Sequence, residues 1–368
     1  MKFVCTKTEL EQAIAIVQKA VKTNSTKPIL DGILIQAEDN KVMLTGYDLE
    51  TGIEADIDSD VFEKGSVVAN SKIFGEIIRK LPEESITIKA DDKNKLTIES
   101  GVAEFNINGN ASEEYPKIPV IDNTDKIIMP QAILKRMITN VIFAVSKDDT
   151  RPALTGCLLE SDGTNATIVA LDGFRMAVRK EELGKDFPLM NFLIPGKALF
   201  EASKIFDSKN EGEVIIYSSN NHLLFDIGNV RVVSRLIVQP YVNYASLIQN
   251  SAKTIMNINR KLLLDAIERA SLIIMNDERR FPVQISMSDN ESIVVSANTD
   301  AGNLKEEIQA SISGDLIDID FNAKFFIEAL KAIEDDMIRI EFNGVLGPCI
   351  VRPVEGESYV YLILPIRR

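Results

Sequence analysis

One helical pattern occurs three times in this chain at nearly fixed spacing, and such a repeat restricts the fold to copies of one supersecondary unit. In "TELEQAIAIVQKAV", Leu10, Ala13, Ile14 and Val17 stand at i, i+3, i+4 and i+7, which is one apolar stripe on a helix. The stripe returns as Leu134, Met137, Ile138 and Val141, then as Leu263, Ala266, Ile267 and Ala270, at offsets of 124 and 129 residues. A second stripe lies midway through each unit. It reads Phe74, Ile77, Ile78 and Leu81, then Leu199, Ala202, Ser203 and Phe206, then Phe326, Ala329, Leu330 and Ile333. The two stripes of a unit are 64, 65 and 63 residues apart, so the chain is three units of two half-units each.

Between the stripes the pattern becomes short alternating runs broken by turn residues, as in "GILIQAEDNKVMLTGYD". "IVALDGFRMAV" and "IVVSANTDAGNL" occupy the place of "MLTGYDLETGI" in the later units. Each half-unit therefore reads as one helix with three or four antiparallel strands. The expected fold class is α+β, with three tandem similar domains at 1–120, 127–247 and 253–368. The six helices are expected at 8–24, 69–81, 130–147, 195–206, 259–280 and 322–333.

Charge is the most informative part of the composition. The 368 residues carry 41 basic and 55 acidic side chains, a net of −14, which by itself argues against a nucleic-acid partner. The expected helices nevertheless hold 17 Lys and Arg against 9 Asp and Glu, a net of +8, leaving −22 for the strands and loops. Lys72, Lys197 and Lys324 each fall in the first turn of the second helix of their unit. A cation is disfavoured there by a few tenths of a kcal/mol, and a helix N-terminus suits a phosphate. With no Trp and 6% aromatic residues, no base-reading element is apparent. The pattern suggests sequence-independent phosphate contact, with lysine stems that merely cover apolar surface as the alternative.

Other chemistry finds little support. Cys5, Cys157 and Cys349 lie far apart in apolar runs and read as small core residues. The single histidine, His222, has no companion ligand and reads as a surface residue. The paired acids Asp91–Asp92, Asp148–Asp149 and Asp335–Asp336 look like turn residues, and Asp318 and Asp320 alternate along a strand. No phosphate-binding glycine loop or nucleophile elbow is present, so neither a cofactor nor a metal is expected. No apolar run reaches the roughly 18 residues of a membrane helix, and the N-terminus lacks a signal-peptide pattern, so a cytoplasmic location is expected.

"MKF" at the start, "KPILDGILI" (27–35), "LTGYDLE" (44–50), "LDGFRMAV" (171–178) and "YLILPIRR" at the end occur in an order and spacing that resembles the bacterial DNA polymerase III beta subunit family, the sliding clamps, over essentially all 368 residues. The resemblance implies the DNA clamp fold and a head-to-tail homodimer closing a ring around double-stranded DNA. It also implies a processivity role without catalysis. Phe105, Ile273 and Ile274 would form the apolar subunit joint. Asn24, Lys72, Lys147, Lys197 and Lys324 would face DNA, Asn24 standing where relatives can carry an arginine. A pocket would take short linear peptides from the replicative polymerase alpha subunit, the clamp loader, repair polymerases, ligase and mismatch-repair proteins. Its matching positions are Leu154, Thr155, Leu171, Gly173, Phe174, Arg175, Met176, Leu247, Leu362, Ile363, Leu364, Pro365, Ile366 and Arg367. Here Gly173 is expected to allow close backbone approach, and Arg175 to be a polar anchor at the rim. Phe174 and Ser246 depart from a histidine and an arginine common in relatives. In "SYVYLILPIRR", Tyr359 to Leu364 reads as the last strand, ended by Pro365. A ring-shaped peptide scaffold without DNA and a carboxylate-metal hydrolase are the competing readings.

Overall fold

The computed structural model describes residues 1–22, 27–121, 126–207, 212–248, 252–274, 282–289 and 291–367. Asn24 lies outside them. The described helices are α1 (Lys7–Val17), α2 (Ser71–Lys80), α3 (Gln131–Thr139), α4 (Gly196–Ser203), α5 (Arg260–Ile274) and α6 (Ala323–Ala332). Every residue of the repeated stripes is buried except Ile77, which is half-buried. The periodicity therefore marks the core face of each helix. Local caps fix four of the starts, that of α5 through Asn259 Oδ1, which accepts from Leu262 N at 3.0 Å. Thr6 Oγ1 accepts from Glu9 N at 3.3 Å before α1. Asn70 Oδ1 accepts from Ile73 N at 3.0 Å before α2, and Asn322 Oδ1 accepts from Lys324 N at 2.9 Å before α6.

Three helices are shorter than expected, α4 because it ends at Ser203. α1 gives way to a 3-10 turn at Gln18–Ala20, and α3 ends at Thr139, with a separate 3-10 turn at Ile142–Ala144. Apolar residues three apart continue the stripe through such turns, so the pattern cannot distinguish them from α-helix. Lys147 consequently stands in a loop rather than on α3. Residues 275–280, the expected end of the fifth helix, lie outside the described residues. Within the observed bounds the helices carry twelve Lys and Arg against seven Asp and Glu. The positive sign survives with smaller magnitude.

All strand pairs are antiparallel, and by their packing the residues form two compact units. The first comprises Met1–Ala132 and Glu201–Leu236. It holds a five-stranded sheet ending on Ala103–Asn108 and an eight-stranded sheet, with α1 and α2 packed together. In the larger sheet Val230–Arg235 pairs with Thr51–Asp58, joining strands of the first and middle repeats. α1 crosses Lys41–Tyr47 so closely that a Cβ on Gly46 would lie 2.2 Å from Val17 O.

The second unit, Ile133–Phe200 and Ile237–Arg368, is built on a twelve-stranded sheet. The final strand, Tyr359–Ile363, sits inside it, paired to Arg175–Glu182 on one side and to Cys349–Pro353 on the other. The apolar tail is thus the seam joining the middle and last repeats, one residue shorter than expected because Leu364 leaves the ladder. Each junction between repeats is closed by strand pairing across it, which is why the middle repeat is divided between the two units.

Candidate functional site

In the second unit, register and alternation build an apolar surface. Successive strand side chains point to opposite faces. Two rungs therefore run across four strands: Leu158–Val169–Val178–Val360 and Leu171–Met176–Leu362–Ile350. With Leu154 and Leu193 they form one cluster, against which Ala153, Ile237, Tyr241, Tyr244 and Ile248 are packed. Five of these positions (Leu154, Leu171, Met176, Val360 and Leu362) have side chains 2–7% exposed, so the surface is a floor rather than a set of protruding groups.

The turn "LDGFR" borders this floor. It is a tight hairpin: Asp172 Oδ1 accepts from Phe174 N at 2.9 Å and from Arg175 N at 3.0 Å. Gly173 holds a φ of +93°, whereas a Cβ there would meet only Arg151 Nη1, at 3.8 Å. The left-handed turn favours the glycine. Leu49 occupies the matching place in the first repeat, also left-handed at φ +76°, where Asp48 Oδ1 accepts from Thr51 N at 2.7 Å.

Arg175 departs from the sequence expectation. Alternation turns it away from Met176, to the helix-covered face of the sheet, and it is 8% exposed. Its Nε donates to Asp172 Oδ2 at 3.0 Å, Nη1 to Glu328 Oε2 on α6, and Nη2 to the Phe143 carbonyl. Its guanidinium lies 4.6 Å from the Phe325 ring centroid and 5.3 Å from that of Phe143. It is a buried strut between the hairpin and α6, each of its three nitrogens donating a hydrogen bond, and not an anchor at the rim.

The tail shows the same alternation. Leu362 joins the apolar floor, but Ile363, 1% exposed, faces the other way together with Tyr359 and Tyr361. Tyr361 meets Phe143 edge-on at 5.6 Å, and Tyr359 Oη donates to Asp335 Oδ2 at 2.9 Å. Ile363 therefore belongs to the core and not to a pocket wall. Beyond the strand, Leu364 N donates to the Phe174 carbonyl at 2.9 Å and Ile366 N to that of Asp320 at 2.8 Å. Leu364 is 38% and Phe174 57% exposed, with the Phe174 ring stacked 6.4 Å from Phe325. Pro365 and Ile366 are half-buried and Arg367 is exposed. Thr155, half-buried, donates through Oγ1 to the Pro152 carbonyl at 2.8 Å.

Some residues of this surface do not stand out in the sequence. Leu247 is exposed and is not among the side chains packed on the cluster; Tyr241, Tyr244 and Ile248 of the same segment are. Val169, Val178, Val360 and Ile350 belong to the floor without having been expected there, although period-2 alternation from Leu171, Met176 and Leu362 points to the first three. Val345 and Leu346 lie exposed in the loop between Met337–Phe342 and Cys349–Pro353. Since Cys349 is opposite Ile363, that loop opens at the same end of the sheet as Leu364.

Lys72, Lys197 and Lys324 are exposed in the first turns of α2, α4 and α6, and Lys147 is exposed in its loop. The Asn70 and Asn322 side chains each engage one backbone N–H at the starts of α2 and α6. Of the expected joint residues, Phe105 is 39% exposed on the edge strand Ala103–Asn108, and Ile273 is half-buried. Ile274 is 3% exposed and packs in the core of α5, so it offers no joint surface; Leu272, 65% exposed, is the protruding apolar group of that turn.

The remaining reactive groups are engaged. Asp91 Oδ1 accepts from Lys93 N and Lys95 N at 2.9 and 2.8 Å, which holds its carboxyl below the usual range. Asp148 Oδ1 accepts from Thr150 N at 3.0 Å. Among the described residues no cluster of His, Cys, Asp and Glu is arranged to hold a metal. All three cysteines are buried, and burial pushes the Cys157 thiol up to about 12. His222 is half-buried at a strand start, its pKa lowered by burial and by Arg235. Among the described residues no helix is long and apolar enough to cross a membrane.

Comparison with known proteins follows the same three-part division. The family models for the N-terminal, central and C-terminal domains of the DNA polymerase III beta subunit match residues 1–119, 128–242 and 245–367. The beta sliding clamp of Bacillus subtilis is 38% identical over 380 residues, covering 100% of both chains. That of Staphylococcus aureus is 36% identical over 358 residues, 95% of this chain and 94% of its own. The crystal structure of the Bacillus subtilis sliding clamp superposes with a TM-score of 0.95 at 37% identity, covering 100% of this chain and 99% of that one. A putative DNA polymerase III beta subunit from Eubacterium rectale gives 0.95 at 35%, with full coverage of both. The three-domain α+β clamp fold, its repeated half-units and these full-length matches agree: the chain belongs to the beta sliding clamps, the non-catalytic processivity subunits of DNA polymerase III.

Proposed function

We propose that two copies of this chain close head to tail into a ring around duplex DNA, and that Lys72, Lys147, Lys197 and Lys324 face its phosphates, with Asn24 at a fifth position. The joint would use Phe105 on the edge strand Ala103–Asn108 against Leu272 and Ile273 of the partner, a heterologous contact that closes after two subunits. Residues 1–120, 127–247 and 253–368 are the three domains on this reading. The ring would work in the cytoplasm, on the nucleoid.

Tethering falls to the apolar floor of Leu154, Leu171, Met176, Val360 and Leu362, extended past the 172–174 turn by Leu364, Pro365 and the Val345–Leu346 loop. Short linear peptides of the polymerase alpha subunit, clamp loader, repair polymerases, ligase and mismatch-repair proteins would lay apolar side chains on it.

The observation carrying the DNA reading is the exposed lysine at one equivalent position in all three repeats of an acidic chain. Replacing Lys72, Lys197 and Lys324 together by alanine is expected to weaken binding to a duplex oligomer about tenfold or more at low salt. The slope of log affinity against log salt should flatten by roughly 0.9 for each phosphate no longer neutralised. Fluorescence anisotropy across a salt series measures both. An unchanged affinity and slope would favour a peptide scaffold that does not engage DNA.

A further inference from the structure

Beside the apolar floor lies a cavity of about 590 Å³ that the peptide reading leaves unused. Val178, Val360, Tyr244 and Ile248 belong to both the cavity and the cluster, so one surface continues into the other. The rest of its wall is mainly polar, with Glu160, Asp162, Lys180, Arg352 and Glu357 as its charged groups.

The charges in this wall are unequally matched. Arg352 is held by Glu341, Nε to Oε2 at 3.3 Å, and Glu341 also takes Arg339 at 2.9 Å. Lys180 adds a small pull that lowers the Asp162 carboxyl, after the hydrogen bonds Asp162 accepts from Asn165 and Thr164, but the two form no ion pair. Against Lys180, the cation of this wall without an ion pair among the described residues, stand two further carboxylates. Glu160, half-buried, accepts from the Tyr244 hydroxyl and forms no ion pair among the described residues. Glu357 is exposed and likewise forms none. A half-buried carboxylate beside an apolar floor is poorly solvated and gains from an incoming cation more than a fully exposed one would.

We propose that this cavity is a flanking subsite that takes a lysine or arginine adjacent to the apolar anchors of a bound peptide, with Glu160 and Glu357 as its counter-charges. The inference rests on the peptide reading above. It makes the surface selective by charge as well as by apolar fit, because a basic flank is attracted while an acidic flank meets unpaired carboxylates. Tyr244 holds Glu160 in place and forms the shared wall, so the subsite and the floor are occupied together.

The test uses the full-length chain and one synthetic peptide with two leucine anchors and a phenylalanine, made with three lysines, three serines or three glutamates flanking the anchors on either side. Isothermal titration at low salt is expected to give the order lysine, serine, glutamate, with about fivefold between the first two and a narrower gap at high salt. Glu160→Gln combined with Glu357→Gln should bring the ratio of lysine-peptide to serine-peptide affinity to about one, and that ratio is the readout. Glu357→Lys, an exposed change that leaves packing alone, should reverse the order of the lysine and glutamate peptides. Equal affinities for all three flanks, or tightest binding of the glutamate flank, would overturn the charge assignment while the peptide surface stands. No binding by any version would overturn the peptide surface, and this inference with it.

Discussion

Arg175→Ala is expected to destabilise the chain by about 3 kcal/mol, a large effect for one substitution outside the apolar core. The side chain is 8% exposed and is the shared partner of Asp172, 15% exposed, and Glu328, 32% exposed. Removing it takes the charge partner from two partly buried carboxylates, of which Asp172 keeps its two backbone N–H bonds, leaves the Phe143 carbonyl without its donor and deletes the cation packed on Phe325. The value sits at the low end for breaking a buried pair because Glu328 keeps some water. Arg175→Lys should recover only part of it, since an ammonium cannot reproduce the fork that reaches both carboxylates and the carbonyl. Chemical denaturation of the three proteins, followed by fluorescence of a tyrosine in the second unit, measures the order. If Arg175 were a solvent-facing anchor, alanine would cost less than about 0.5 kcal/mol.

Deleting residues 364–368 is expected to reduce partner-peptide affinity about a hundredfold or more without unfolding the sheet. The last strand, Tyr359–Ile363, keeps both of its neighbours after the deletion. What goes is the half-exposed Leu364 side chain, the tie from Leu364 N to the Phe174 carbonyl, and the tie from Ile366 N to Asp320. Removing one or two apolar side chains from the surface at about 1.5 kcal/mol each, together with the ordering of the 172–174 turn, accounts for an effect of that size. Sedimentation should still report a dimer, because Phe105 and Ile273 lie far from the deletion in sequence and on other elements. Peptide binding that survives the truncation would remove the tail from the proposed surface.

The sequence discloses period better than partnership. Helical stripes at 3.6-residue spacing locate all six helices and, apart from Ile77, their buried faces, because amphipathicity is a local property. The ends of α1 and α3 are overrun because 3-10 turns carry the same i, i+3 spacing. At the site, neighbours in sequence do not share one surface. Arg175 and Met176, or Leu362 and Ile363, are adjacent in sequence and on opposite faces of a strand. Applying the strand period to "LDGFRMAV" and "YLILP" places Arg175 and Ile363 behind the sheet and brings Val178 and Val360 to the front. The pairing of Arg175–Glu182 with Tyr359–Ile363 joins segments nearly two hundred residues apart. No local pattern encodes it, and only resemblance to a family hints at it. Ile274 illustrates the same limit: an apolar residue at a matching position can be core or joint, and only its burial decides.

The central claim is that the chain holds DNA by encircling it. Its most direct measurement is retention of the loaded protein on a closed circular duplex, before and after the circle is cut once. Encirclement predicts that protein stays on the circle through gel filtration at moderate salt and runs off within minutes of linearisation, because weak phosphate contacts leave it free to slide. Equal loss from the circular and linear forms would contradict it.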